Sequence, residues 1–320
     1  MIDVLNLALP YFGLIFIGFA CGKLKQIPDT ALAWMNFFII YVALPALFYR
    51  IIAQTPLEKL ASANFVFATT LATFVAFALS FAIGMAIRRG NIAESTIAGL
   101  AGGYGNIGYM GPGLALATLG AEAAVPVALI FSFDALLIFT LVPLLMAMSG
   151  ASKAGIGRAI ADVARSILLN PLLIAAALGV AAAALRLEPP LAIARLLEFL
   201  YTSAAPCALF ALGVTVALRP ASRMFPDVPL LAGVKLVAHP ALVLALLPTF
   251  GAFSETWVGT AVLMAALPPA LTAFVFARQY DTWIEHASSV VLFGTLFSVV
   301  TLTAVMWLVQ AGALPHIQLW

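Results

Sequence analysis

Asp134, Lys235 and His239 lie in stretches otherwise free of charge. A charge deep in an apolar segment costs about 2.5–3.5 kcal/mol even on insertion scales, so each is a functional hypothesis by default. Lys235 and His239 are four residues apart, which puts both on one helix face. Two roles stay open for this trio: an ion pair or interhelical hydrogen bond joining Asp134 to Lys235, or exchange of a proton by one of them during a working cycle. The second chemically unusual stretch is Gly102-Gly103-Tyr104-Gly105-Asn106-Ile107-Gly108-Tyr109-Met110-Gly111-Pro112-Gly113, with six glycines and a proline in twelve residues. Relative to Ala, Gly costs about 1 kcal/mol and Pro about 3 kcal/mol at an interior helix position, so a regular helix is not expected to run through it. Amides freed at a helix N-terminus attract anions, and freed carbonyls hold a cation or a substrate donor. Asn106 is read as a substrate ligand or as a helix–helix hydrogen bond. Leu267-Pro268-Pro269-Ala270-Leu271-Thr272 is a second interruption, with two consecutive prolines.

The elements that must position these residues follow from composition. Of 320 residues, 64% are hydrophobic and only 9% charged, against roughly a quarter charged in a soluble domain. That balance excludes a soluble catalytic or nucleic-acid-binding domain. One membrane-spanning helix takes about 20 apolar residues, and ten apolar segments are expected, at 4–22, 34–53, 63–87, 95–118, 123–148, 166–185, 191–218, 230–250, 257–277 and 287–311. Spans of this length in lipid should be helical, because each backbone group must find its partner within the segment. Cys21 and Cys207 fit no metal-ligand spacing, so neither a metal nor a disulfide is expected, and no cofactor is called for. Gly103-x-Gly105-x-x-Gly108 matches the dinucleotide fingerprint literally, but it follows no strand and is rejected. Met1-Ile2-Asp3 lacks the basic start of a cleaved signal peptide, so the first apolar run reads as a permanent span.

Basic residues orient the segments. Lys23, Lys25, Arg88, Arg89, Lys153, Arg158, Arg165, Arg219, Arg223 and Arg278 fall in alternate loops on one side, against Arg50, Lys59, Arg186 and Arg195 on the other. The positive-inside rule makes the first side cytoplasmic and places both termini outside. Arg50 is expected to snorkel to the interface. Prolines and glycines also recur: Pro10 and Pro171, Gly18 and Gly179, and Pro45 and Pro206 are each 161 positions apart, and Pro112 and Pro268 differ by 156. Five spans per half is odd, so the second half enters from the opposite side. The expected organisation is a first five-helix repeat over 1–148, a cytoplasmic linker over 149–165 and an inverted second repeat over 166–320. Paired interruptions at matching positions of such repeats are the best sequence pointer to a transport site. The plainer reading of the glycines is close packing, as in Gly99-x-x-x-Gly103.

Asn106-Ile107-Gly108-Tyr109-Met110-Gly111-Pro112 resembles the crossover motif of the auxin efflux carrier family, the bacterial relatives of the plant PIN transporters. Ala43-Leu44-Pro45-Ala46-Leu47, the run from Lys235 to His239-Pro240, and Ala266-Leu267-Pro268 with Ala277-Arg278-Gln279-Tyr280 agree with it, and the resemblance covers nearly the whole chain. It implies an all-α polytopic membrane protein of ten helices in two inverted five-helix repeats, a scaffold and a transport domain, as in sodium/proton antiporters. It also implies that broken spans 4 and 9 cross at their prolines and that the substrates are organic anions, malonate-like or auxin-like. Asn106, Tyr109, Gly111, Pro112 and Gly113 would then meet the carboxylate, with Pro268, Pro269 and Thr272 from the other side. The family often carries an Asn shortly after the span 9 proline; Thr272 stands there instead, which puts an amide contact from that side in doubt. The implied setting is a bacterial inner membrane, and related scaffolds often form homodimers.

The expected function is therefore a secondary transporter of a small organic carboxylate, not an enzyme. No paired carboxylates, His-x-x-x-His or Gly-x-Ser-x-Gly are found. A membrane sensor of the same fold that binds an organic anion without net transport is the alternative. No nucleic-acid partner is expected.

Overall fold

The structure, a computed structural model, describes residues 2–25, 28–55, 62–150, 161, 164–165, 168–218 and 223–314. Among these, every regular element is helical and the sole β-type pairing is an isolated bridge. Among the described residues, six helices are 23 to 28 residues long and apolar enough to cross a membrane: Ala31–Ala53, Ala63–Ile87, Ala124–Met148, Leu191–Leu218, Val228–Phe250 and Ile284–Gln310. Their surfaces are apolar outward as well as inward. Leu24 is 79% exposed and Trp34 77%, which water would penalise and lipid accepts. The protein is thus a multi-pass membrane protein. The expected linker over 149–165 lies mostly outside the described residues, as do Lys59, Lys153, Arg158 and Arg219 from the charge count.

In chain order the α-helices are α1 (Ile2–Lys25), α2 (Asp29–Phe38), α3 (Leu44–Ala53), α4 (Ala63–Ile87), α5 (Ile92–Gly103), α6 (Gly111–Leu119) and α7 (Ala124–Met148). They continue as α8 (Pro171–Leu185), α9 (Leu191–Leu218), α10 (Val228–Gly233), α11 (His239–Phe250), α12 (Glu255–Ala265), α13 (Thr272–Gln279) and α14 (Ile284–Gln310). Two pairs are fused through a single wide turn, Ile39–Ala43 between α2 and α3 and Val234–Ala238 between α10 and α11. The amide of Leu44 reaches back five residues to Ile39, and that of His239 to Val234. Pro45 and Pro240 follow immediately and explain both. A proline ring removes a donor and crowds the carbonyl four residues earlier, and a π-turn widens the helix enough to relieve it.

The chain divides into two compact units, the first of residues 1–62, 108–132 and 168–220 and the second of 63–107, 133–167 and 221–320. In the first unit α1 and α9 pack through paired glycines. A Cβ at Gly18 would collide with the carbonyl of Phe210, and one at Gly213 would stand 2.8 Å from the amide of Phe19. Without a hydrophobic force between helices in lipid, such close backbone approach supplies the packing energy. Phe48 of α3 stacks on Phe131 in the first part of α7, and Gly179 of α8 lets Ile52 and the Tyr49 carbonyl close in. In the second unit α4 lies along α5 with the Phe77 ring against Gly99 and its backbone against Gly103. The Gly99-x-x-x-Gly103 pair is therefore a packing motif.

Candidate functional site

The glycine-rich interruption ends α5 at Gly103, and the chain resumes helix only at Gly111. The double proline does the same between α12 and α13, which ends at Ala265 and restarts at Thr272. Within the second unit the two interruptions meet backbone to backbone. The amide of Asn106 donates to the Pro268 carbonyl at 2.8 Å, and the amide of Ala270 donates to the Tyr104 carbonyl at 3.0 Å. Gly105 and Pro269 are thereby paired antiparallel. A proline cannot donate, so it fits the non-hydrogen-bonded position of this bridge. Four backbone groups that a broken helix would leave bare are satisfied. Gly294 of α14 makes the room on the far side, since a Cβ there would stand 2.6 Å from the Pro269 ring.

Asn106 is 2% exposed and, among the described residues, its Nδ2 has no hydrogen-bond partner. A buried orphan donor costs about 1–3 kcal/mol, so this side-chain amide adds no hydrogen bond to the fold through Nδ2. Pro268 and Pro269 are buried with it, whereas Thr272 is half-buried and opens α13. Tyr109, Gly111, Pro112 and Gly113 belong to the first unit. There Pro112 sits in the first turn of α6, where its missing amide is no loss, and the Gly113 carbonyl accepts the Tyr11 hydroxyl at 2.7 Å. The structure thus joins Asn106, Pro268 and Pro269 through backbone contacts inside one unit.

Lys235 stands beside the crossing. It is fully buried in the π-turn ahead of Pro240, and a Cβ at Gly105 would be 3.1 Å from its Nζ. Only glycine lets the ammonium approach this backbone undisturbed. Lys235 donates to the Ala265 carbonyl, the last helical residue before the double proline, and meets His239 Nδ1 at 3.0 Å. On the other ring face His239 Nε2 lies 3.2 Å from Thr73 Oγ1, which is 2.7 Å from Asp134 Oδ2. The hydroxyl donates to the carboxylate, so Nε2–H donates to the hydroxyl oxygen and Nδ1 is left to accept from the lysine. The network itself therefore assigns a neutral His239 with its proton on Nε2. Asp134 and Lys235 are joined through His239 and Thr73, and among the described residues no salt bridge links them directly. Asp134 Oδ1 is buried without a partner among the described residues. Thr73 escaped sequence reasoning because nothing local separates it from Thr69, whose hydroxyl merely donates to Phe65 in its own helix.

A second polar cluster closes one end of the second unit. Arg88 donates to Asp227 at 2.8 Å, His286 Nδ1 lies 3.0 Å from the same carboxylate oxygen, and Glu94 stands 3.5 Å from Arg88 Nε. The rings of Phe225 and Trp283 both stack with the His286 imidazole. Burial alone would push the Asp227 carboxyl up, but the hydrogen bond and charge of His286, followed by those of Arg88, outweigh it and hold the group below the usual carboxylate range. A depressed value means that this stabilisation is complete above the unfolded value of about 3.9 and is lost as pH falls through the folded one. Asp227→Asn should be less stable than wild type at neutral pH, with the gap closing in acid. Thermal unfolding in detergent at pH 7 and at pH 3 checks this; a gap of the same size at both would count against it.

Comparison with known proteins fits this arrangement. A model of the family described as "Membrane transport protein" matches residues 3–306. A protein of Rhizobium meliloti (strain 1021) named "Putative malonate transporter" is 48% identical over 315 residues, covering 98% of each chain. The chain belongs to the membrane transport protein family, the auxin efflux carriers, and is a transporter rather than an enzyme.

Proposed function

We propose that the protein is a secondary transporter that binds a small organic carboxylate at the crossing of the two interrupted segments and moves it by alternating access. The observation that carries this reading is the buried, unpartnered amide of Asn106 on a backbone bridge that pairs Tyr104–Asn106 with Pro268–Ala270. An amide donor and a nearby ammonium are what a carboxylate needs once water is excluded. Malonate is the first substrate to try, on the strength of the name borne by the Rhizobium relative.

In this reading the fused pairs α2/α3 and α10/α11 and the interrupted pairs α5/α6 and α12/α13 each count as one span, giving ten in two inverted repeats over 1–148 and 166–320. The first unit, holding α1, α2, α3, α8 and α9, acts as the scaffold, and the second carries the substrate. The loop at 103–111 passes from one unit to the other, so substrate held by Asn106 would feel any motion between them. Within the second unit Pro268, Pro269 and Thr272 shape the crossing beside Asn106, and Tyr109, Gly111, Pro112 and Gly113 remain candidate substrate contacts of the same motif. A bacterial inner membrane, with both termini outside, is the setting that the basic loops favour.

Uptake of labelled malonate and of indole-3-acetate into proteoliposomes containing the purified protein tests the reading. Saturable, protein-dependent flux of at least one acid is expected. Binding of an acid without any flux would instead favour a sensor.

A further inference from the structure

We propose that the second unit takes up one proton with each substrate molecule bound as a monoanion, and that the Lys235–His239–Thr73–Asp134 chain is the relay that holds it. The inference rests on the transport reading above and adds its coupling ion. Three observations carry it. The chain is continuous, with heavy-atom separations of 3.0, 3.2 and 2.7 Å from amine to carboxylate. Its donor and acceptor roles run in one direction, with each group giving a proton to the next. Lastly, Asp134 Oδ1 is buried and has no partner among the described residues, which leaves it as an acceptor at the far end of the chain.

Such a chain can pass a proton without any group travelling. The Lys235 N–H bond breaks as Nδ1 of His239 gains the proton, Nε2–H passes to the Thr73 oxygen, and the Thr73 hydroxyl proton passes to Asp134. The result is a neutral amine, a neutral imidazole protonated on Nδ1, an intact hydroxyl and a carboxylic acid. No electrons are transferred and net charge is unchanged. In a buried site this exchanges a separated ion pair for two neutral ends, so the empty site carries no net charge in either form.

A carboxylate arriving beside Asn106 and Lys235 changes that balance. Its negative charge calls for the ammonium form of Lys235, whose Nζ lies against the backbone at Gly105. With Asp134 ionised as well, the buried site would carry one uncompensated negative charge, which low dielectric penalises heavily. A proton from solution retained on Asp134 removes the excess, leaving ammonium, carboxylic acid and bound carboxylate at zero net charge. The other titratable side chains of the packed elements do not supply this charge. Tyr104 caps α5 at this depth as a neutral phenol, and Glu94, Glu255, Glu285 and His286 lie in the first turns of α5, α12 and α14, with Arg278 in the last turn of α13.

The test uses the full-length protein in proteoliposomes with the membrane potential clamped at zero by potassium and valinomycin. Labelled malonate is supplied outside at lower pH than inside, and a trapped pH dye reads the interior. Wild type should accumulate malonate above its outside concentration and acidify the interior in fixed ratio to uptake. Thr73→Val, which keeps the shape and removes the bridging hydroxyl, should drop the proton-to-malonate ratio toward zero, and Thr73→Ser should restore it. A proton carried on malonate itself would survive in Thr73→Val, so an unchanged ratio there overturns the relay. Should Thr73→Val fail to fold, Asp134→Asn serves, with the same loss of ratio expected and an unchanged ratio again decisive against it. Wild-type flux that merely equilibrates, without acidification, overturns the coupling and leaves the transport reading standing. Absence of flux for malonate, acetate and indole-3-acetate alike overturns both.

Discussion

Asn106→Ala should weaken malonate binding by about 10- to 150-fold while leaving the protein as stable as wild type or slightly more so. The two halves of that result have separate causes. A hydrogen bond from a protein donor to a charged ligand is worth about 1.5–3 kcal/mol, and each 1.4 kcal/mol is tenfold in affinity. Stability is spared because Nδ2 of Asn106 has no partner among the described residues, so truncation removes an orphan donor and breaks no bond. The backbone amide of residue 106 keeps its hydrogen bond to Pro268 in the variant, and the antiparallel bridge survives. Calorimetric titration with malonate, alongside thermal unfolding of the same sample, checks both parts. Wild-type affinity in the variant would remove Asn106 from the site, and a large loss of stability would make it a structural residue.

Lys235→Met should cost about 3–5 kcal/mol of folding stability, the penalty expected when one partner of a buried charged pair is removed and the other is left behind. Lys235 is 0% exposed and its Nζ serves the Ala265 carbonyl and His239 Nδ1 together. Methionine fills similar volume but leaves the carbonyl at the end of α12, the imidazole and the Asp134 carboxylate without their donor or counter-charge. The double variant Lys235→Met with Asp134→Asn should recover much of the loss, because the stranded charge is gone. Non-additivity of that kind is the signature of groups in one network. Melting curves of the two single variants and the double variant decide it; a Lys235→Met protein as stable as wild type would show that the amine is not charged and paired in the resting state.

The interruptions were legible in the sequence because glycine and proline act locally: six glycines and Pro112 between 102 and 113, and the pair Pro268-Pro269, disfavour helix there, although Gly102, Gly103 and Gly111 to Gly113 are themselves taken into the ends of α5 and α6. The burial of Asp134, Lys235 and His239 was legible for the same reason, as each is a charge in an apolar run. What joins them was not. Thr73 reaches partners 61 and 166 residues away, and a threonine in an apolar helix looks the same whether it serves its own backbone or a distant carboxylate. The paired bridge at Gly105 and Pro269 was equally hidden, since the crossing motif marks where backbones are bare and leaves unstated which carbonyl meets which amide. The division of the chain into units runs through the broken segment, after Ile107, and so Asn106 is separated from Tyr109, Gly111, Pro112 and Gly113 although they share one motif. Arg88, Asp227 and His286 fall in three separate loops or helix ends and acquire meaning only through tertiary contact.

We expect the carboxylate to bind beside Asn106, between the Tyr104–Asn106 stretch and Lys235. Bromomalonate marks that place directly, because the bromine scatters anomalously. Crystals grown with it and measured at the bromine edge should show a single strong anomalous peak next to the Asn106 amide, on the Gly105 side of the Lys235 ammonium. A peak elsewhere in the protein, with none at the crossing, would contradict the account.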